Sequence, residues 1–253
     1  DTSRGFPRIR LTLMGLAPIF FYFFCLLSRL RERFNKHTML QFIFVSVLIL
    51  LQLGRVPIIL SVGLGLWYYT SHVSNLRKFL IAIGFGLCLW IIYENVSLVQ
   101  ELVDYSINDY EKSTENENVR ISSFRFYTIE FPNTWSSIIF GNGQYSLGKS
   151  ALGDYVDNFG RSNGFIPADV GYAYIFLNYG FVGITILLSI VFKVLTLKVD
   201  RRYEYIKYYI VFLFMVNFSG NTVLGGLPFI ILSLYLLDQG HFLYRFKQKT
   251  YEN

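Results

Sequence analysis

Apolar residues in this chain come in long runs, separated by short charged clusters. The runs predict membrane-crossing helices at Leu11–Leu27, Met39–Leu53, Val56–Tyr69, Phe79–Tyr93 and Val170–Phe192, since about 20 apolar residues suffice to span a hydrocarbon core. The third run is short and carries Pro57. A sixth apolar region, Tyr205–Leu237, is too long for one span. Asn217, Ser219, Gly220 and Asn221 interrupt it, and Gly225, Gly226 and Pro228 follow, a mixture that breaks helices and makes turns. Two segments, Ile206–Phe218 and Val223–Leu237, are therefore expected, joined by a tight turn. A single kinked helix is the alternative and would put the C-terminus on the other side.

Between the fourth and fifth runs lie 75 residues, Glu94–Ala168, with no apolar span. A connection this long is functional or disordered. Val96, Val99, Val103, Ile107 and Tyr110 recur at helical spacing, with Glu101, Asp104 and Asn108 between them. That pattern predicts an amphipathic helix on the membrane surface or against the bundle. Ser113–Asn118 reads as a polar linker. Val119–Phe131 reads as helix again, with Ile121, Phe124, Tyr127 and Phe131 on one face. Trp135 and Gly141–Asn142–Gly143 then lead into an irregular polar segment ending at Pro167. The expected fold is an all-α, polytopic helical membrane protein with a long extracytoplasmic loop containing short amphipathic helices. Its parts are a bundle of four spans (1–93), the loop (94–168), and the last spans with a cytoplasmic tail (169–253). No internal repeat is visible.

Composition supports this reading. The chain is 53% hydrophobic and 16% charged, against about 25% charged for a soluble domain. An ordinary water-soluble globule and a disordered chain are both excluded. The net charge of +6 raises the question of nucleic acid, and the distribution of charge answers it. Arg29–His37, Ser71–Lys78, Lys193–Lys207 and the tail from Asp238 hold fourteen of the 23 basic residues and five of the 17 acids. Basic residues mark cytoplasmic loops, so the excess reads as topology. Arg4, Arg8 and Arg10 fall outside and run against the rule. The chain begins at Asp1 and reads as a portion of a longer protein. Its first run has no small-residue cleavage site, and Arg29, Arg31 and Arg33 follow, so a stop-transfer helix is expected rather than a signal peptide. Cys25 and Cys88 sit in apolar runs and indicate neither a disulfide framework nor a metal site.

Motifs of soluble enzymes are absent: the sequence has no P-loop, GxSxG, HExxH or CxxC. Asp154 and Asp157 read as solvated loop acids. Arg55, in Leu53–Gly54–Arg55–Val56–Pro57, stands near the outer boundary, either snorkelling or clamping an anion. Arg120, Arg125 and Arg161 lie in an otherwise acidic loop. They either pair with Glu115, Glu117 or Glu130 or offer their planar forks to phosphate. Asp169, at the mouth of the fifth span, is a helix N-cap, a catalytic base, or both. Gly141 and Gly143 fit a tight turn. Tyr172 and Tyr174 fit an interfacial belt, and Tyr172 could instead stack on a sugar.

The order of these motifs resembles the O-antigen polymerase and ligase superfamily, the Wzy-like and WaaL-like enzymes. The resemblance runs from Gly54–Arg55–Val56–Pro57 through Arg120, Phe124 and Phe140–Gly141–Asn142–Gly143. It ends in Gly171–Gly183, where Asn178–Tyr179–Gly180 and Gly183 are the most specific part. Relatives have more spans, in keeping with a C-terminal portion. The resemblance implies a multi-pass protein of the bacterial cytoplasmic (inner) membrane. It implies a metal-independent glycosyltransferase, without cofactor, that polymerises undecaprenyl-pyrophosphate-linked repeat units into O-antigen or capsular or exopolysaccharide on the outer face. Membrane lipids, a flippase and a chain-length regulator are the implied partners. Arg55 matches the first family arginine and Arg120 the loop arginine, with Arg125 as the alternative. Asp169 stands where a ligase has its His, which favours a polymerase over a ligase transferring glycan to lipid A core.

In chemical terms, guanidinium groups would stabilise the departing pyrophosphate, with Arg55 and Arg120 as ligands and Arg125 and Arg161 as supporting charge. Asp169 would accept the proton of the acceptor hydroxyl, and partial burial would make it the better base. A lipid-linked glycan flippase and a structural membrane subunit are the rival classes.

Overall fold

The computed structural model describes residues 17–51, 55–71, 73–95, 100, 104, 119–144 and 150–252, and all regular structure among them is helical. The helices are α1 (Ala17–Glu32), α2 (Lys36–Leu51), α3 (Arg55–Thr70), α4 (Asn75–Asn95), α5 (Val119–Arg125), α6 (Trp135–Phe140), α7 (Ala151–Asn163), α8 (Gly171–Thr196), α9 (Glu204–Val216), the short α10 (Thr222–Gly225) and α11 (Leu227–Glu252). Of these, α8 and α11 are long and apolar enough to cross a membrane. Helices α2 and α3 are apolar but shorter. Apart from residues 100 and 104, which are helical, the amphipathic helix expected at Val96–Tyr110 lies outside the described residues, as do Arg4, Arg8 and Arg10.

Helix α9 is apolar on every side and is buried accordingly. Ile206, Tyr209, Ile210, Phe212 and Leu213 are all enclosed by α1, α3, α8 and α11. The Phe20 and Phe212 rings stand 4.3 Å apart between centroids. The Tyr209 hydroxyl donates to the Ala17 carbonyl at 3.0 Å. In contrast, α2 buries only Val45 and Ile49 and turns Leu40, Ile43, Phe44 and Val47 outward.

At the basic end of this bundle a guanidinium ties three helices together. Arg31 Nη1 lies 3.3 Å from Glu204 Oε2 and donates to the Tyr68 carbonyl at 3.3 Å. Its guanidinium carbon stands 4.6 Å from the Tyr68 ring centroid. Tyr68 in turn donates to Ser28 Oγ at 2.9 Å.

The same end carries Asp200, between α8 and α9. Its backbone N–H donates to the Gly240 carbonyl at 3.0 Å, its carboxylate caps the turn at Arg201–Tyr203, and Lys247 pairs with it. The hydrogen bond from Lys247 lowers the Asp200 pKa below the ordinary carboxylate value. A lowered carboxylate pKa stabilises the fold at every pH above the unfolded value, and the contribution disappears as pH falls through the folded one. The Lys247 side chain is 60% exposed, so solvent screening keeps the term near 1 kcal/mol. Asp200→Asn is expected to lower the unfolding midpoint at pH 7 and to remove a step below about pH 4. Parallel thermal melts of both proteins from pH 7 to pH 3 check this.

The turn expected inside Tyr205–Leu237 is present. Helix α9 ends at Val216, a tight turn covers Asn217–Ser219, and α11 starts at Leu227; one continuous kinked helix is not formed. Two expectations in the loop fail. Helix α5 does not run regularly to Phe131: residues Phe126–Glu130 form a π-turn. The wider turn rotates the face, so Tyr127 is buried while Ile121 and Phe124 point outward. The segment before Pro167 is not irregular but contains α7. Ser150 caps that helix by accepting from Gly153 N–H at 3.0 Å, and Gly164 ends it at φ +71°, the left-handed stop that glycine permits. Leu152, Val156 and Phe159 give α7 one apolar face, and it packs inward. The many polar residues of the opposite face mask that spacing in the sequence.

Candidate functional site

Helix α8 is broken at Gly180, where φ is +58° and ψ −154°. The break receives the turn after α6. Asn142 N–H donates to the Leu177 carbonyl at 2.8 Å and Gly143 N–H to the Asn178 carbonyl at 3.0 Å. Asn142 Nδ2 reaches the same Leu177 carbonyl at 3.1 Å. A Cβ on Gly141 would stand 2.3 Å from the Asn178 carbonyl carbon, and one on Gly180 would stand 2.5 Å from the Ile139 carbonyl oxygen. The two glycine motifs, about 40 positions apart in the chain, are thus one backbone-to-backbone joint. Gly141 and Gly180 allow that approach. Gly143 has φ +77° but nothing within 4 Å of a Cβ, so it serves the turn alone.

A second break abuts the start of α8. A Cβ on Gly171 would lie 2.5 Å from the Asn217 carbonyl, Asn217 Oδ1 and the Gly220 carbonyl. Asn217 is fully buried, and its Oδ1 accepts from Thr222 N–H and Val223 N–H, each at 3.1 Å. Tyr172 donates to the Phe214 carbonyl at 2.9 Å, and its ring centroid is 4.5 Å from that of Phe218. Asn178 Oδ1, Asn217 Nδ2 and Asn221 Oδ1 are buried without a hydrogen-bond partner, an uncommon state for such groups.

Over these breaks sits the loop unit. Tyr127 lies at its centre with Val156, Val170, Ala173 and Leu177. Phe126 stacks on Phe159 at 4.2 Å. The Tyr127 hydroxyl donates to the Phe165 carbonyl at 3.0 Å, and burial pushes its pKa up to about 12. Helix α5 packs on both the Pro167–Asp169 turn and α8, and Val119 stands 3.6 Å from a Cβ on Gly164. The helix that bears Arg120 is thereby placed against the turn that ends at Asp169.

Asp169 is exposed, without the partial burial that would make it a better base, where it closes the 3₁₀ turn at Pro167–Asp169 just before α8. Its reading as helix N-cap also fails: Val170 holds the cap position of α8, and no side chain bonds there. Arg125 pairs with Glu130 at 3.1 Å, both well exposed. Arg55 is the first residue of α3, and Arg161 lies in α7; the side chains of both lie outside what the structure describes.

Beneath α5 an apolar cavity of about 740 Å³ opens between the loop unit, both halves of α8, and α9. Phe124 and Ile129 line its loop end, and Phe181, Leu188 and Val191 carry it along α8. Its polar lining side chains are Thr128 and Tyr172. Along the second half of α8 it runs from Phe181 to Val191, about 15 Å at 1.5 Å per residue. Phe124 itself stands between Arg120 and Arg125 on α5, so the cavity ends next to guanidinium-bearing backbone.

Sequence reasoning missed the structural role of the asparagines. The side chains of Asn142 and Asn217 bond to backbone groups of other segments, Asn178 takes part through its backbone carbonyl, and only the residue pattern Asn-Gly and Asn-Tyr-Gly hinted at turns. No family model matches this chain, and no curated protein and no solved structure matches it.

Proposed function

We propose that this chain is part of a membrane glycosyltransferase that polymerises undecaprenyl-pyrophosphate-linked oligosaccharide repeat units on the outer face of the bacterial cytoplasmic membrane. The observation that carries this reading is the cavity. It is apolar and extends along α8, and its loop end adjoins the helix that bears Arg120 and Arg125. An apolar channel fits an isoprenoid tail, and guanidinium forks beside its mouth fit a pyrophosphate. Asp169, exposed on the turn against which α5 packs and not used as a cap, would take a proton from an acceptor hydroxyl. Two helices of spanning length and the outward apolar faces of α2 and α4 support the membrane setting.

In a gene-deletion strain, gel analysis of surface polysaccharide decides the reading. One repeat unit per acceptor is expected. Complete but unattached polymer would indicate a ligase, and unchanged glycan would exclude both. On complementation, Arg55→Ala, Arg120→Ala and Asp169→Asn are each expected to lower polymer formation about 100-fold, the scale for losing one group that stabilises transition-state charge. Arg125→Ala is expected to cost less than about tenfold, because that guanidinium is already held by Glu130 in the solvated setting where pairs are weak. Wild-type polymer from the first three variants, at equal expression, overturns the site.

A further inference from the structure

We infer that the segment between Phe131 and Gln144 is not a water-exposed loop but an element set into the outer leaflet, its apolar side chains facing lipid acyl chains. The inference rests on the membrane setting proposed above and adds a surface to it.

Three observations carry it. The first is charge. From Phe131 to Gly148 no residue is charged, although Glu94–Ala168 holds five basic and ten acidic residues. The second is exposure. Trp135 is 79% exposed and Phe140 66%, with Ile139 beside them. Helix α6 packs on α8, whose Phe181, Val182 and Ile186 are also exposed.

The third is depth. Lys193 lies thirteen positions after Gly180, so Gly180 stands about 20 Å from the basic end of α8. With that basic end at one face of the membrane, the Gly180 break lies about 10 Å short of the far boundary of a 30 Å hydrocarbon core.

Non-helical backbone is tolerated at such depth only where protein covers it and its polar groups are paired. The segment meets that demand. Thr134 and Ser137 close a capping box at the start of α6, and the turn after it gives its N–H groups to Leu177 and Asn178. It seals the Gly180 break and presents apolar side chains outward.

Two single-tryptophan proteins test this in vesicles of phosphatidylcholine brominated at mid-chain. One keeps Trp135 (Trp67→Phe, Trp90→Phe) and the other keeps Trp67, which is exposed on α3. Bromolipid is expected to cut the fluorescence of both by about twofold, and aqueous iodide is expected to leave Trp135 almost unquenched. Quenching of Trp67 with none of Trp135, or iodide quenching of Trp135, overturns the lipid-facing segment and leaves the membrane setting standing. Quenching of neither overturns the membrane setting and this inference with it.

Discussion

Gly180→Ala is expected to unseat the loop from α8 and to cost about 4 kcal/mol. The backbone there has φ +58° and ψ −154°, a region open in practice to glycine alone, where another residue costs about 1–3 kcal/mol. The added methyl would also lie 2.5–2.6 Å from the Ile138 and Ile139 carbonyls and Gly141 N. These are backbone atoms and cannot rotate aside. Relief requires the two segments to separate, which breaks the bonds from Asn142 and Gly143, each worth about 1 kcal/mol. Gly141→Ala meets the same obstacle from the other side, 2.3 Å from Asn178. The double substitution should therefore cost little more than either alone, since both break one joint. Gly143→Ala is the control: it has φ +77° and open space, so only the conformational penalty of about 1 kcal/mol applies. Unfolding midpoints in detergent and protease cutting within residues 132–143 report these differences. Equal stability of all three variants would show that the joint is not formed.

Arg31→Met is expected to be the second most damaging change, at about 3 kcal/mol, although Arg31 lies far from the proposed site. Its side chain is 7% exposed, and it serves Glu204, the Tyr68 carbonyl and the Tyr68 ring together. Removing the guanidinium takes away all three contacts at once, a loss on the scale of breaking a buried pair, about 3–5 kcal/mol. Glu204 keeps 24% of its side-chain surface, so the lower end applies. Arg31→Lys should recover less than half, because an ammonium lacks the guanidinium plane that lies on the Tyr68 ring. Adding Glu204→Gln to Arg31→Met should restore part of the stability lost in the single change, since it removes the charge that Arg31 balances. Unfolding midpoints of the three variants check this, and a double variant worse than Arg31→Met would contradict the ion-pair account.

The main outline was legible in the sequence because apolar runs and their interruptions are local. The break at Asn217–Asn221 was readable from residues that disfavour helix, and it stands where expected. Helix α7 was not readable: its apolar spacing is diluted by Asp154, Asp157 and Asn158, and its caps show only once the backbone is folded. The π-turn after Arg125 was hidden for a related reason. It exists because Tyr127 and Phe131 reach a core contributed by α7 and α8, not because of any preference within Phe126–Glu130.

The candidate site divides the same way. Arg120, Asp169, Gly141 and Tyr172 could be picked out by residue type, since guanidinium, carboxylate, glycine and phenol each carry a recognisable chemistry along the chain. Their relations could not. The joining of Gly141 to Gly180, the seating of Gly171 against Asn217, and the cavity under α5 depend on segments that meet only in three dimensions. Residue chemistry and hydropathy act over a few neighbours, so a sequence states them directly. A backbone-to-backbone joint leaves no side chain to announce it, and an apolar cavity is lined by the same residues that fill a core.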